Sequence, residues 1–309
     1  MITTVTLNPA IDKTCTLSSL RAGTVNRMES VRNLAGGKGI NVTKVLRQYA
    51  YPVCALGFLG GYTGKFIEEY VKSIGAECCF TTIKDETRTN INVLAQDGYV
   101  TEILEPGAVI SKEELNSFYE SFEKKTKESK LIILSGSVPE GVPVTIYKEL
   151  IEKAKGKGKK VLLDSSGDFL KEGALALPFM IKPNLKELEV LAGKKLKDRE
   201  EAMHAALHFN RLGISHVIVS MGEKGILYVT RQSVYYAAVP KIKAVNTVGC
   251  GDSVVAAFAM GILSKEAPTE ILRWCGAISA ANALTAESAV IPKENAEELV
   301  ADIIVEKLV

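Results

Sequence analysis

Leu131-Ile132-Ile133-Leu134-Ser135-Gly136-Ser137-Val138-Pro139 is an apolar run that stops on a polar turn. A strand sends successive side chains to opposite faces, so an unbroken apolar run calls for cover on both sides. Similar short runs lie at 3–7, 53–58, 161–163, 179–182 and 216–220. Between them, amphipathic stretches at 40–49, 63–75, 111–127, 143–156 and 198–212 read as helices. This alternation predicts an α/β fold: a doubly wound, mostly parallel sheet with helices on both faces.

Two regions break the rhythm. Residues about 11–34 and 80–105 show little helical periodicity, and 90–104 reads as a hairpin around Asp97-Gly98. They are expected to form a small β-sheet lid on a single domain spanning 1–309. A further strand pair is expected at 225–229 and 233–239, and the tail from Asp252 onward is expected to be helical.

Net charge is only +2, from 38 Lys/Arg against 36 Asp/Glu, which gives no reason to expect nucleic acid as a partner. Cysteines at 15, 54, 78, 79, 250 and 275 form no CxxC pair and no zinc spacing, consistent with a reduced setting. Met1 to Asn8 lacks the basic and apolar regions of a signal peptide, and no window approaches a membrane span. A cytoplasmic location is therefore expected, with no membrane partner. His204 and His208 share a helix face, but no third ligand or adjacent Glu supports zinc and they read as a solvated pair; His216 is read as structural.

The stretch richest in chemistry is Asn246-Thr-Val-Gly249-Cys-Gly251-Asp252-Ser253, which leads into the apolar helix 254–263. Amides at a helix N-terminus attract anions, and glycines let the backbone approach them. A carboxylate there repels phosphate unless it takes a proton beside it, as phosphoryl transfer to an alcohol requires. Asp is also a common helix cap, and this segment alone leaves both readings open.

Ala35-Gly36-Gly37-Lys38-Gly39-Ile40-Asn41 is a second glycine turn opening a helix, without the spacing of a Walker A loop. Lys38 and Asn41 offer a cation and an amide to a polyhydroxylated, anionic small molecule. Polar groups also follow the apolar strands: Asp12 after Asn8-Pro-Ala, Ser135-Gly-Ser137, Lys182-Pro-Asn184-Leu-Lys-Glu187 and Ser220-Met-Gly222-Glu-Lys-Gly225. Ligands in open α/β sheets bind beyond the carboxyl ends of strands.

Taken in order, these stretches resemble the ribokinase-like (PfkB-type) sugar kinases along essentially the whole chain. Gly36-Gly37-Lys38-Gly39-x-Asn41 looks like that family's first signature, Asn246-Thr-Val-Gly249-x-Gly251-Asp252 like its second, and Asn184-x-x-Glu187 like its magnesium motif. The chain departs from the pattern at Cys250, usually Ala or Ser, and at Asn246, often Asp. A thiol beside the phosphate turn predicts sensitivity to oxidation. Thr6-Leu-Asn-Pro-Ala-x-Asp12, Ser135-Gly-Ser-Val-Pro139 and Thr87-Arg88-x-Asn90 look like the phosphosugar branch, which holds 1-phosphofructokinases and tagatose-6-phosphate kinases.

The resemblance implies ATP and Mg2+ as cofactors. It implies that Asp252 is the catalytic base, with an anion hole at Gly249, Cys250, Gly251 and Asp252. It places the sugar on Asp12, Gly37, Lys38 and Asn41, and its resident phosphate near Arg27, Lys38, Arg88 and Ser137. ATP is expected along Asn184, Ser220, Gly222, Gly225, Val248 and Gly251, with the adenine reaching Asn282. Glu187 is expected to hold the metal through water, and the lid to form a homodimer contact. Fructose 1-phosphate is the first candidate substrate, followed by tagatose 6-phosphate or fructose 6-phosphate. The competing readings are a kinase for an unphosphorylated sugar or nucleoside, a nucleotide-binding regulatory module without turnover, and last a dinucleotide oxidoreductase.

Overall fold

A computed structural model describes residues 1–309; of Val100 the backbone alone is described. In chain order the first elements are β1 (Ile2–Thr6), β2 (Ala10–Leu17), β3 (Ser30–Gly36), α1 (Lys38–Gln48), β4 (Val53–Leu59) and α2 (Gly61–Ser73). Next come β5 (Glu77–Cys78), β6 (Thr81–Thr82), β7 (Arg88–Ala95), β8 (Val100–Leu104), α3 (Lys112–Glu128) and β9 (Leu131–Ser135). The middle of the chain forms α4 (Ile146–Gly156), β10 (Lys160–Asp164), α5 (Gly167–Leu175), β11 (Met180–Ile181), α6 (Leu185–Ala192) and α7 (Arg199–Leu212). The remainder is β12 (His216–Ser220), β13 (Ile226–Val229), β14 (Val234–Ala238), α8 (Cys250–Ser264), α9 (Pro268–Ala283), α10 (Lys293–Val300) and β15 (Ile304–Lys307).

Eleven strands make one sheet in the order β15-β14-β13-β12-β11-β10-β9-β1-β4-β5, with β6 also on β4. Neighbours from β5 to β12 run parallel, and β12 to β15 are antiparallel. The run that opened the sequence reading is β9, in the middle of the parallel part. Its period of two splits it as a doubly covered strand requires. Leu131 and Ile133 enter the core shared with α1, α8 and α9, while Ile132 and Leu134 enter the core shared with α3, α4 and α7. All four side chains are fully buried; each contributes about 1.5–3 kcal/mol by leaving water.

A second sheet of four strands, order β3-β2-β7-β8, forms the expected lid. It joins the body where β1 runs on into β2 and where β3 turns directly into α1. The lid is shorter than expected at its second segment, because Thr81 and Thr82 pair with Phe58 and Leu59 in the main sheet. The tail also differs from expectation. After α10 the chain ends on β15, whose pairing with β14 covers what would otherwise be an open sheet edge. The strand at 179–182 shrinks to Met180–Ile181, and the short helices α5 and α6 have too few residues to show a period. His216 is structural as read: its Nδ1 meets Tyr228 Oη at 2.8 Å, and burial lowers its pKa to about 4. Among the described residues no helix is long and apolar enough to cross a membrane.

Candidate active site

The turn before α8 is fastened by two asparagines. Asn246 Oδ1 accepts from the Val248 amide at 2.9 Å, and its Nδ2 donates to Ala286 O at 3.1 Å and Ser288 Oγ at 3.3 Å. Asn282, fully buried on α9, donates to Val248 O at 2.9 Å and accepts from the Ala289 amide at 2.7 Å. Gly249 caps α8 in a left-handed conformation at φ 85°, where a side chain would be strained. Helix geometry leaves the first amides of α8, at Gly251 and Asp252, without intrahelical acceptors. A helix start of this kind suits an anion.

Asp252 sits in that first turn and is 4% exposed. Its Oδ2 accepts from Asn41 Nδ2 at 2.8 Å, across from α1. Burial raises its pKa; Lys38 opposes, Asp164 reinforces, and Asn41 and Lys182 oppose, leaving it at about 6. Asp164 ends β10 and is fully buried. Its Oδ1 receives both Lys38 Nζ at 3.2 Å and Lys182 Nζ at 3.3 Å, and its Oδ2 has no partner among the described residues. Burial works against the Lys38 charge, but Asp164, Asp252 and Glu187 together raise its pKa above the ordinary lysine value.

Facing this cluster is the inner side of the lid. Asp12 on β2 accepts from Asn90 Nδ2 on β7 at 3.0 Å, and burial raises its pKa. Gly36, which pairs with Ala10 across β2–β3, leaves room for the Asp12 carboxylate, since a Cβ there would lie 2.0 Å from Asp12 Oδ2. Arg88 donates to Glu105 O at 2.9 Å, Asn8 O at 3.1 Å and Ser137 Oγ at 3.5 Å; its Nε is buried without a partner. A cavity of about 600 Å³ separates lid from turn, lined among others by Asp12, Lys44, Asn92, Val245, Thr247 and Ser288. Asn184, past the end of β11, forms a bridge with Ser220, the last residue of β12. Asn184 and Glu187 close a capping box on α6, with Asn184 N donating to Glu187 Oε2 at 2.8 Å.

Residues 5–295 match the family described as pfkB family carbohydrate kinase. The chain belongs to this family.

Among relatives, it is 40% identical over 270 residues to 1-phosphofructokinase of Bacillus subtilis (strain 168), covering 87% of this chain and 88% of that one. It is 37% identical over 304 residues to tagatose-6-phosphate kinase of Staphylococcus epidermidis, covering 97% of each. The solved structure of phosphofructokinase-2 from Escherichia coli in complex with potassium superposes with a TM-score of 0.91 at 26% identity, over 98% of each chain. As a carbohydrate kinase, the chain is a phosphotransferase that uses ATP and an alcohol acceptor.

Set on this kinase, the expected site residues divide. Asp252, Gly251, Lys38 and Asn41 meet at the α1–α8 junction, with Gly37 capping α1, and Asp12, Arg88 and Ser137 meet under the lid. Asn184, Ser220 and Gly222 gather at the ends of β11 and β12. Others stand apart from these groups. Arg27 is exposed on the β2–β3 loop, with no side-chain partner among the described residues. Asn282, expected to reach adenine, is buried and uses its amide to hold the turn. Gly225 is buried against Ala237 at the start of β13, a structural position. The Cys250 thiol turns to Ser279 O at 3.4 Å, and burial raises its pKa, which opposes the expected reactivity. Sequence reading missed Asp164 altogether and quoted Lys182 at a strand end without giving it a role. Both sit at strand ends, so the rule that flagged Ser137 and Ser220 could have found them.

Proposed function

We propose that the chain phosphorylates a ketohexose phosphate, with fructose 1-phosphate to fructose 1,6-bisphosphate as the first assignment. The observation that carries this reading is the buried carboxylate of Asp252 in the first turn of α8, with a pKa of about 6. At neutral pH such a group is mainly anionic, yet more basic than an ordinary aspartate. It accepts the proton of the sugar's free primary hydroxyl as that oxygen bonds to the γ-phosphorus and the bond to the ADP oxygen breaks. The amides from Gly249 to Asp252 meet the charge on the phosphoryl oxygens, and Lys38 adds its cation.

Arg88 and Ser137 take the resident phosphate; the unpartnered Arg88 Nε leaves donor capacity for it. Asp12, oriented by Asn90, takes sugar hydroxyls. The nucleotide lies along Asn184, Ser220, Gly222 and Val248. Mg2+ fits the donors present: Glu187 offers a carboxylate within electrostatic reach of Lys38, and a single carboxylate suits an ion held largely through water. When bound it would neutralise charge on the ATP phosphates. Self-association is assigned to the lid, whose Val31, Ile103 and Leu104 are 52%, 53% and 60% exposed; light scattering on the purified protein reads it directly.

The 37% identity to tagatose-6-phosphate kinase over 97% of the chain supports tagatose 6-phosphate as a second reading. Both substrates carry a phosphate at one end and a free primary hydroxyl at the other, so one site geometry serves either. The deciding experiment compares kcat/KM for fructose 1-phosphate, fructose 6-phosphate and tagatose 6-phosphate with ATP. The highest value for fructose 1-phosphate is expected. A preference for tagatose 6-phosphate moves the assignment to the second reading, and equal turnover of unphosphorylated fructose overturns the phosphosugar claim.

A further inference from the structure

Lys44 lies on α1, three residues after Asn41, and is only 3% exposed. A buried ammonium is costly unless it is paired. Yet among the described residues no carboxylate lies within salt-bridge distance of it, and its hydrogen bond goes to Asn41 Oδ1 at 3.2 Å. Its other close neighbour is the Tyr70 ring on α2, 5.4 Å from the ring centre. At longer range it is faced by Asp12 from β2, Asp252 from α8 and Glu287 from the loop after α9. Packing does not require a cation here, since methionine would fill the same volume.

We infer that Lys44 is a positioning residue for the catalytic base, acting through the Asn41 amide. The inference rests on the reading of Asp252 as that base. An amide has one accepting and one donating end. With the ammonium on Oδ1, the NH2 group is turned to Asp252 Oδ2, where it donates at 2.8 Å. Turned by half a rotation, the amide would set its oxygen against the carboxylate and its NH2 against the ammonium, two repulsive contacts. The charge on Lys44 therefore locks one orientation, and the locked amide holds the carboxylate in place and favours its anionic form. Burial lowers the Lys44 pKa to about 8, against the pull of Asp12, Asp252 and Glu287. The lock thus opens as pH rises through that value, because a neutral amine accepts as readily as it donates.

The test measures kcat, both KM values and the pH profile of kcat/KM for wild type, K44M, K44R, N41A and N41A/K44M. The profile of kcat/KM reports the free enzyme's groups. Loss of one oriented hydrogen bond predicts a fall in kcat of about 10-fold for K44M, with KM values close to wild type and the acidic limb moved to higher pH. K44R should restore most of kcat and lack the basic limb near pH 8, since guanidinium does not titrate there. Adding K44M to N41A should change little. A folded K44M with wild-type kcat and profile overturns the inference, as does full additivity with N41A. If K44M does not fold, K44R decides: a basic limb that stays near pH 8 overturns it. D252N keeps the two questions apart. An active D252N sinks the base itself, whereas an inactive D252N beside a normal K44M sinks only the role of Lys44.

Discussion

The anion turn at the head of α8 and the four-stranded lid face each other across one cavity, and the chain holds them in different ways. The turn is tied by Asn246 and Asn282 to the loop after α9, and α8 behind it lies in a large core with α1 and α9. Among the described residues the lid's own core is Cys15, Leu17 and Val93; only Ile11 and Ala35, near the roots of β2 and β3, join the core of the body, and the contacts farther out are polar: Arg88 to Asn8 and Ser137, and Arg32 to Glu287 at the surface. Elements with little buried apolar surface open at low cost. The difference suits the proposed division of labour, with chemistry on the rigid wall, where a carboxylate must be held to a fraction of an ångström, and recognition on the wall that can move.

The sharpest break of this comparison is to remove the divalent cation. Excess chelator should abolish turnover, and readdition of Mg2+ should restore it; full activity in chelator sinks the assignment of Glu187.

Next in size is Asp252→Asn on the rigid wall. It should lower kcat by ~10²–10⁴ and leave the ATP KM unchanged; near wild-type kcat would reduce Asp252 to a cap. In the wild type, kcat/KM should fall below about pH 6, as the base protonates, and hold from there up to the basic limb near pH 8. Stability runs the other way. The folded pKa lies above the ordinary 3.8, so the native state binds this proton more tightly, and the group costs stability above about pH 6. Asp252→Asn should therefore melt no lower than wild type at pH 8, and a lower Tm would contradict that sign.

On the lid, Arg88→Ala should cost roughly 10- to 150-fold in kcat/KM for the phosphosugar, from about 1.5–3 kcal/mol for a charge-assisted hydrogen bond. The ATP KM should hardly move, and Arg88→Lys should recover only part. Equal kinetics would place the resident phosphate elsewhere. The smallest effect is expected from Cys250→Ala, within about 3-fold of wild type, because the thiol faces α9 and burial keeps it protonated. Rapid inactivation of the wild type by peroxide, absent in the variant, would overturn that placement.

Much of this molecule was legible before any coordinates. The parallel sheet followed from runs such as 131–134, the lid from the loss of helical period, and the anion turn from glycines at a helix start. All are contiguous signals. The misses share a cause as well. β15 is four residues long and is a strand only because β14 lies open beside it. That Asn282 holds the Val248 carbonyl and the Ala289 amide could not be read from its neighbours in the chain.

The sequence by itself determined the α/β class, the order of the signature turns and the identity of the carboxylate in the first turn of α8, since periodicity and helix starts are written in neighbouring residues. Only the tertiary structure decided what that carboxylate is. Asn41, Lys38, Asp164 and Lys182 come to it from α1, β10 and the end of β11, residues far apart in the chain. Burial then removes the water that would hold all these charges near their ordinary pKa values. Desolvation and charge pairing are properties of a place, and the place exists only after the fold has closed around it.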